Sequence, residues 1–280
     1  MNRFLAHFIC AFVPVKKYRK ALRDYLYSFD FAKISYKVRE FRSLENETQT
    51  VVLGSSHALY GYKPERTEFN FAEPSQDLYY SYKIYEKFCD FKKIKRVILF
   101  YSVFSAGHIL EKTRWVKLCA IYKKVLGIPY RYDETELKKI EKKLHGRIYF
   151  MPRKTYGDMD KYRFESHNAE ERVAGHLKNN RRQNNQTEYV EKCAALARLK
   201  GHDLFVVIPP FRSDYTKLLP PFEEVFAPLL SLTQKDASIH LLDYFHDTDF
   251  ADDDFGDTDH LNLQGAKKLT QKIRQAFRTR

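Results

Sequence analysis

Glycine is scarce in this chain, with 10 among 280 residues, and there is a single tryptophan. No segment is biased enough in composition to read as disordered, and no internal repeat appears, so neither a low-complexity polymer nor a repeat array fits. Cysteine is also sparse: Cys10, Cys89, Cys119 and Cys193 stand far apart at irregular spacing. That pattern lacks the paired-Cys spacing of a zinc site, and it fits free thiols in a reducing compartment better than a disulfide framework. Long apolar runs are missing at the N-terminus as well. The stretch Phe4 to Val13 is apolar but too short to span a bilayer. It is followed, not preceded, by basic residues, and no small-residue cleavage site accompanies it, which argues against a signal peptide.

What is present is a globular composition: 44% hydrophobic residues, 20 Tyr and 22 Phe. The length allows one sizeable core, or a core domain with a smaller appendage. The formal net charge of +13 favours an acidic partner, which nucleic acid, anionic lipid, a polyanionic glycan or a phosphorylated carrier would each satisfy. With no aromatic RNA-binding signature and no zinc spacing, charge alone does not point to nucleic acid. Two readings of residues 1–27 stand side by side. An aromatic anchor joined to the basic run Lys16-Lys17-Tyr18-Arg19-Lys20 suits an anionic membrane surface, where each cation adds on the order of 1 kcal/mol. Alternatively Phe4, Phe8 and Phe12 pack a helix onto the domain.

Along the chain, residues 16–44 predict a helix, and Thr50 to Leu53 predict a short β-branched strand running into Gly54. Glu68 to Ala72 reads as a weaker strand. Ser75 then caps a helix from Gln76 to Phe91. The continuous apolar runs Arg96 to Tyr101 and Asp203 to Ile208 are expected as strands covered on both faces. A last strand is expected over Ser238 to Leu242. Helices are expected at 110–126, 134–145, 186–200, 221–233 and 263–277. Residues 146–182 are polar and carry no clear period, and Asn179 to Asn185 mark a break. Strands alternating with helices imply right-handed crossovers and a doubly wound, flavodoxin-like α/β fold with a five-stranded parallel sheet. The expected organisation is a basic helical extension over 1–45 and an α/β domain over 46–280, with a helical insertion at about 109–183. In such a sheet the site lies beyond the carboxyl ends of the strands.

Two distant segments supply chemistry at that end. Gly54 permits a tight turn after the first strand, which would expose the hydroxyl of Ser56. A serine hydroxyl needs an adjacent base, and the base needs an orienting group. Asp257 and His260 stand three apart, so one turn carries both, with the carboxylate on one ring nitrogen and the other nitrogen facing Ser56. The plainer alternatives are that Ser56 caps a helix, that Asp257 or Asp259 caps the closing helix, and that His260 is a surface residue. His57 is a rival base ranked below His260, because its ring, next to Ser56 in sequence, points away. Asp252, Asp253, Asp254, Asp257 and Asp259 form an acidic run that reads equally as a solvated loop or a loose cation site; its spacing is wrong for a dedicated calcium loop, and no metal is assigned. Arg212, after the fourth strand, suits a phosphate or carboxylate on a substrate, or is an ordinary surface arginine.

Gly54-Ser55-Ser56 resembles the first block of the SGNH (GDSL-like) hydrolases, and Asp257-Thr258-Asp259-His260 resembles their last, Asp-x-x-His. Asn70 to Ser75 resembles a degenerate second block, and Val97 to Ser102 occupies the place of the third. The resemblance covers roughly 50–102 and 203–277. It implies a Ser56–His260–Asp257 triad, an acyl-enzyme, and oxyanion donors from Ser56, Ser75 and Ser102. Departures are visible: Ser55 replaces the usual Asp, Ser75 stands where a Gly is expected, and no Asn follows Val103. Losing one oxyanion donor commonly costs about 10²–10³ in rate. The Gly-Ser-Ser variant resembles the transferase-like branch, so esterase and O-acetyltransferase both stay open; no cofactor is implied, with acetyl-CoA as co-substrate if the chain is a transferase. A catalytically silent protein that binds an anionic glycan or scaffolds a membrane assembly is the alternative. The string Phe8 to Arg23 resembles the opening of bacterial enzymes that build surface polysaccharide. That implies an acylated carbohydrate or glycan precursor as partner, in capsule or lipopolysaccharide synthesis, at the cytoplasmic face of the membrane.

Overall fold

A computed structural model describes residues 3–12, 14, 22, 28–132, 134–147, 168–180 and 185–278. In chain order its elements are α1 (Arg3–Ala11), α2 (Phe29–Ser43), β1 (Thr50–Leu53), α3 (Ser56–Gly61), β2 (Glu68–Asn70), α4 (Leu78–Phe88), β3 (Arg96–Phe100), α5 (Lys117–Leu126), α6 (Glu134–Lys142), α7 (Ala169–Asn180), α8 (Glu188–Lys200), β4 (Asp203–Ile208), α9 (Ser213–Thr216), α10 (Phe222–Lys235), β5 (Ile239–Asp243) and α11 (Leu263–Ala276). They form two compact units. One comprises Met1–Glu45 with Leu110–Arg153, the other Asn46–Ile109 with Lys154–Arg280.

The second unit holds the sheet. Its five strands are all parallel in the order β2-β1-β3-β4-β5, the doubly wound arrangement that the alternation of strands and helices implies. The central strands are those whose sequences run apolar without alternation. Val51, Val52 and Leu53 of β1 pair with Val97, Ile98 and Leu99 of β3, and all six are buried. Side chains from the two faces of a covered strand must both be apolar, so such a run specifies an interior strand. Val52, Ile98, Phe100, Phe205 and Val207 face Ala58 and Leu59 of α3 and Ala266, Leu269 and Ile273 of α11. Full burial of each large apolar side chain stabilises by about 1.5–3 kcal/mol. At the edges β2 is shorter than the 68–72 expected, and β5 is only half covered.

Several expectations need correction. The helix expected from Gln76 begins at Leu78, and Asp77, not Ser75, caps it: the Asp77 carboxylate accepts the Tyr80 N–H at 2.9 Å. Ser75 instead sits in the left-handed region with φ of 62°, uncommon for a residue with a side chain. The helix expected over 110–126 contracts to Lys117–Leu126, after a single 3₁₀ turn at Leu110–Lys112. Within the helical insertion expected at about 109–183, the stretch 146–182 had no helix assigned to it; α7 lies there and ends at Asn180, where a break was expected. Of the helix expected over 16–44, α2 accounts for Phe29–Ser43, and most of 16–27 lies outside the described residues. Among the described residues no helix is long and apolar enough to cross a membrane.

In the first unit, α5 buries Leu118, Cys119, Ala120, Ile121 and Tyr122 in succession, on all sides of the helix, and ends at Gly127 in the left-handed conformation that glycine adopts without strain. Phe41 and Val38 of α2 and Leu137 of α6 are also buried. All four cysteines are buried thiols outside any disulfide.

Candidate active site

The turn after β1 is built on Gly54, whose φ of 135° is open to glycine but strained for other residues. A Cβ there would also stand 2.9 Å from Phe100 Cβ and 3.2 Å from Ala58 Cβ. The chain then extends through Ser55, whose carbonyl accepts the Ala58 and Leu59 N–H groups. Ser55 thus holds the capping position, without using its hydroxyl as a cap, and Ser56 is the first residue of α3. The Ser56 side chain is therefore not committed to the helix end.

At the other end of the chain, Asp257 folds a turn onto itself. Its Oδ1 accepts the N–H of Asp259 at 3.0 Å and of His260 at 2.7 Å, a local bond that short polar side chains favour. The same carboxylate reaches the ring: His260 Nδ1 lies 2.8 Å from Oδ2 and 3.1 Å from Oδ1. Gly256 N–H donates to the His260 carbonyl, and Phe255 pairs with Leu261, closing the loop. Facing a carboxylate, Nδ1 carries the ring proton, which leaves Nε2 as an acceptor. Nε2 lies 2.7 Å from Ser56 Oγ, joining residues 204 apart in sequence. Ser56, His260 and Asp257, the three residues singled out from the sequence, thus lie in one hydrogen-bonded row, all at least 90% buried. Burial by itself would push the Asp257 carboxyl up; the bond and charge of His260 outweigh it and hold the carboxyl below its ordinary value.

A second group of buried polar residues flanks this row. The His57 ring stacks on His260 with centroids 4.8 Å apart at 25°. Its Nδ1 is 3.4 Å from Ser55 Oγ. Its Nε2 is 3.2 Å from Asp259 Oδ2, close enough for an ion pair but too poorly angled for a hydrogen bond. The ring nitrogens therefore face Ser55 and Asp259. Asp259 is no helix cap: Asn262 takes that role on α11, accepting the N–H groups of Gln264 and Gly265. Asp259 instead receives Arg172 of α7, whose Nε and Nη2 each lie 2.9 Å from one carboxylate oxygen. From the same helix, His176 Nδ1 is 2.6 Å from the Tyr215 hydroxyl, and its Nε2 is 3.9 Å from Asp259.

Burial fixes the charge states here. It pushes His57 below its ordinary value, with Asp259 opposing only in part, and pushes His176 down further still. Burial alone would raise the Asp259 carboxyl, but His260, His57 and Arg172 around it hold it well below the usual carboxylate range. Donor atoms of His57, Asp259 and His260 come within 4.8 Å of one another, the spacing of a metal-ligand set. Asp259 is already held on both oxygens by Arg172, so a cation there would compete with that guanidinium.

The remaining expected residues lie in loops after the strands. Ser75 follows β2, and its carbonyl faces His108 Nε2 at 2.9 Å. Ser102 follows β3; its N–H donates to Ser105 Oγ at 2.8 Å, and its own hydroxyl is buried without a hydrogen-bond partner among the described residues. Arg212 donates to both oxygens of Asp214, at 2.8 and 2.5 Å, so its guanidinium is tied down within its own turn. Sequence reading missed Arg172, His176 and Tyr215. The one signal available was that Arg172 and His176 stand four apart, on one face of a helix.

No family model matches the chain, and no curated protein does. Solved structures similar to it include a GDSL-like lipase from Bacteroides thetaiotaomicron, 10% identical, with 89% of this chain and 98% of that chain covered and a TM-score of 0.48. A candidate acylhydrolase from Bacteroides fragilis is 10% identical over 84% of this chain and 88% of that one, at a TM-score of 0.43. A candidate lipolytic protein of the G-D-S-L family from Desulfitobacterium hafniense is 14% identical over 81% and 98%, at 0.38. Likenesses with TM-scores below 0.5 do not decide the chemistry, which rests on the row formed by Ser56, His260 and Asp257.

Proposed function

We propose that this chain is a serine-dependent acyl-transfer enzyme of SGNH type, an esterase or O-acyltransferase acting on carbohydrate esters. The observation that carries the reading is the 2.7 Å approach of Ser56 Oγ to His260 Nε2, with Asp257 on the opposite ring nitrogen. Ser56 Oγ adds to the ester carbonyl as His260 Nε2 takes its proton, and Asp257 stabilises the imidazolium. The carbonyl oxygen gains the negative charge, for which the Ser56 N–H, the loop of Ser75 and the hydroxyl of Ser102 are the candidate donors. Collapse expels the alcohol, which leaves with the proton from His260, and the acyl group stays on Ser56. Water (esterase) or a sugar hydroxyl (transferase) then gives its proton to His260 and takes the acyl group, restoring Ser56. In the transferase case an acyl donor such as acetyl-CoA is the co-substrate.

A role in capsule or lipopolysaccharide synthesis at a bacterial membrane draws support from the basic N-terminal string and from α1 and the turn that ends it, where Leu5, Phe8, Ile9 and Phe12 are exposed. An exposed apolar face followed by cations suits an anionic lipid surface.

The test is labelling with a serine-reactive fluorophosphonate. Wild type is expected to react at Ser56, and Ser56→Ala to lose the adduct while keeping its circular dichroism spectrum. A folded wild type that reacts no faster than Ser56→Ala, and releases no acetate from model esters, would leave a glycan-binding protein without catalysis as the reading.

A further inference from the structure

The base in this site stands beside two carboxylates. Asp257 holds His260 Nδ1 at 2.8 Å, and Asp259 Oδ1 lies only 3.6 Å from the same nitrogen. Two ionised carboxylates this close would both draw the Nδ1 proton and both favour a charged ring. A ring already protonated cannot take the proton of Ser56. Something must therefore separate the roles of the two acids.

The groups facing this pair come from three elements. His57 stacks on His260 from α3, and the Tyr60 ring lies edge-on to it at 5.4 Å. Tyr215 of α9 is turned toward His176, and Arg212 is tied to Asp214. From α7 come His176 and Arg172. Burial keeps His57 and His176 from holding a proton, so neither supplies lasting positive charge. Arg172 does, and it is bonded to both oxygens of Asp259 in the fork geometry that only a guanidinium provides.

We propose that Arg172 is a positioning residue for the base: by occupying both oxygens of Asp259 it cancels the charge of the second carboxylate and leaves Asp257 alone to orient His260. Asp257, Asp259, Arg172 and the base together then carry one net negative charge when the ring is neutral and none when it takes the serine proton, the negative charge having passed to the carbonyl oxygen of the substrate. This assignment rests on the acyl-transfer reading of Ser56 and His260. It also gives the insertion helix α7 a part in the chemistry without touching the reacting atoms.

The experiment follows the downfield N–H resonance of His260 across a pH series in the full-length protein, for wild type, R172Q, D259N, the R172Q/D259N double variant and R172K. Removing the cation is expected to favour the protonated ring and move the pH midpoint up by about one unit; removing the second carboxylate moves it down by a similar amount. The double variant returns close to wild type, because both charges are gone. R172K keeps the charge but not the fork, so its midpoint stays near wild type. The midpoint of fluorophosphonate labelling at Ser56 is expected to move with the resonance. If R172Q and D259N leave the midpoint where it was, or move it in the same direction, the proposal is overturned and Arg172–Asp259 is an ordinary structural ion pair. Should R172Q fail to fold, D259N and the double variant decide by the same criterion. A resonance that shifts as expected beside a Ser56 that never reacts would refute the proposed function and leave the positioning role standing.

Discussion

Gly54 and Asp257 each do at the scale of one residue what the rest of the site depends on. Gly54 combines a φ that side chains avoid with a space already filled by Phe100 and Ala58. Gly54→Ala is accordingly expected to lower the unfolding free energy by about 2–4 kcal/mol, read from the urea midpoint, because strain and overpacking add. Asp257 orders its turn through two backbone N–H groups and orients His260 through the ring. Asp257→Asn keeps an oxygen for the backbone but presents an amide to Nδ1, favouring the wrong tautomer. Ser56 labelling is expected to slow about 10³–10⁴-fold in that variant, with little change in its melting temperature. Both residues were legible in the sequence, since a glycine ending a β-branched run and an Asp-x-x-His spacing are local patterns. Asp259 was not. Its spacing reads equally as a cap or a solvated acid, and only its neighbours in space reveal it as a buried anion.

Among the elements, the strands were the most readable and α7 the least. β1, β3 and β4 are continuous apolar runs, and the structure places them side by side at the middle of the sheet. α7 has only Val173 and His176 buried and carries Gly175 in its interior. It is held by polar contacts, Arg172 to Asp259, His176 to Tyr215 and Asn180 Nδ2 to the Val225 carbonyl, so no apolar stripe announces it. α11 is the opposite case, with Ala266, Leu269, Thr270 and Ile273 buried along one face and Asn262 as its cap. Asn262→Ala leaves the N–H groups of Gln264 and Gly265 without their acceptor. A loss of about 1 kcal/mol in chemical denaturation is expected.

For the whole molecule, burying so many titratable groups ties stability to pH. His57 and His176 are held below their ordinary 6.5, so the unfolded chain takes up protons that the folded chain refuses. Their contribution is complete above pH 6.5 and is lost as pH falls from there toward their folded values, at up to about 1.4 kcal/mol per pH unit for each. Asp257 and Asp259 are depressed below 3.8, so their contribution is complete above pH 3.8 and is lost as pH falls from there down to those depressed values. Urea titrations across a pH series are expected to show a plateau above neutrality, a decline through the mildly acid range, and a further decline in strong acid. A flat response through the mildly acid range would mean that His57 and His176 are not buried neutral.

From the amino acids alone came the parallel sheet, the turn at Gly54, and the Asp257–His260 pair, because each is dictated by neighbours a few residues away. Tertiary structure decided that His260 comes within reach of Ser56, 204 residues distant, and which cation answers Asp259, 87 residues distant on a helix that no apolar stripe announces. The physical reason is that a buried charge is satisfied by whatever packing brings within hydrogen-bond reach, and that reach is a property of the folded interior, not of spacing along the chain.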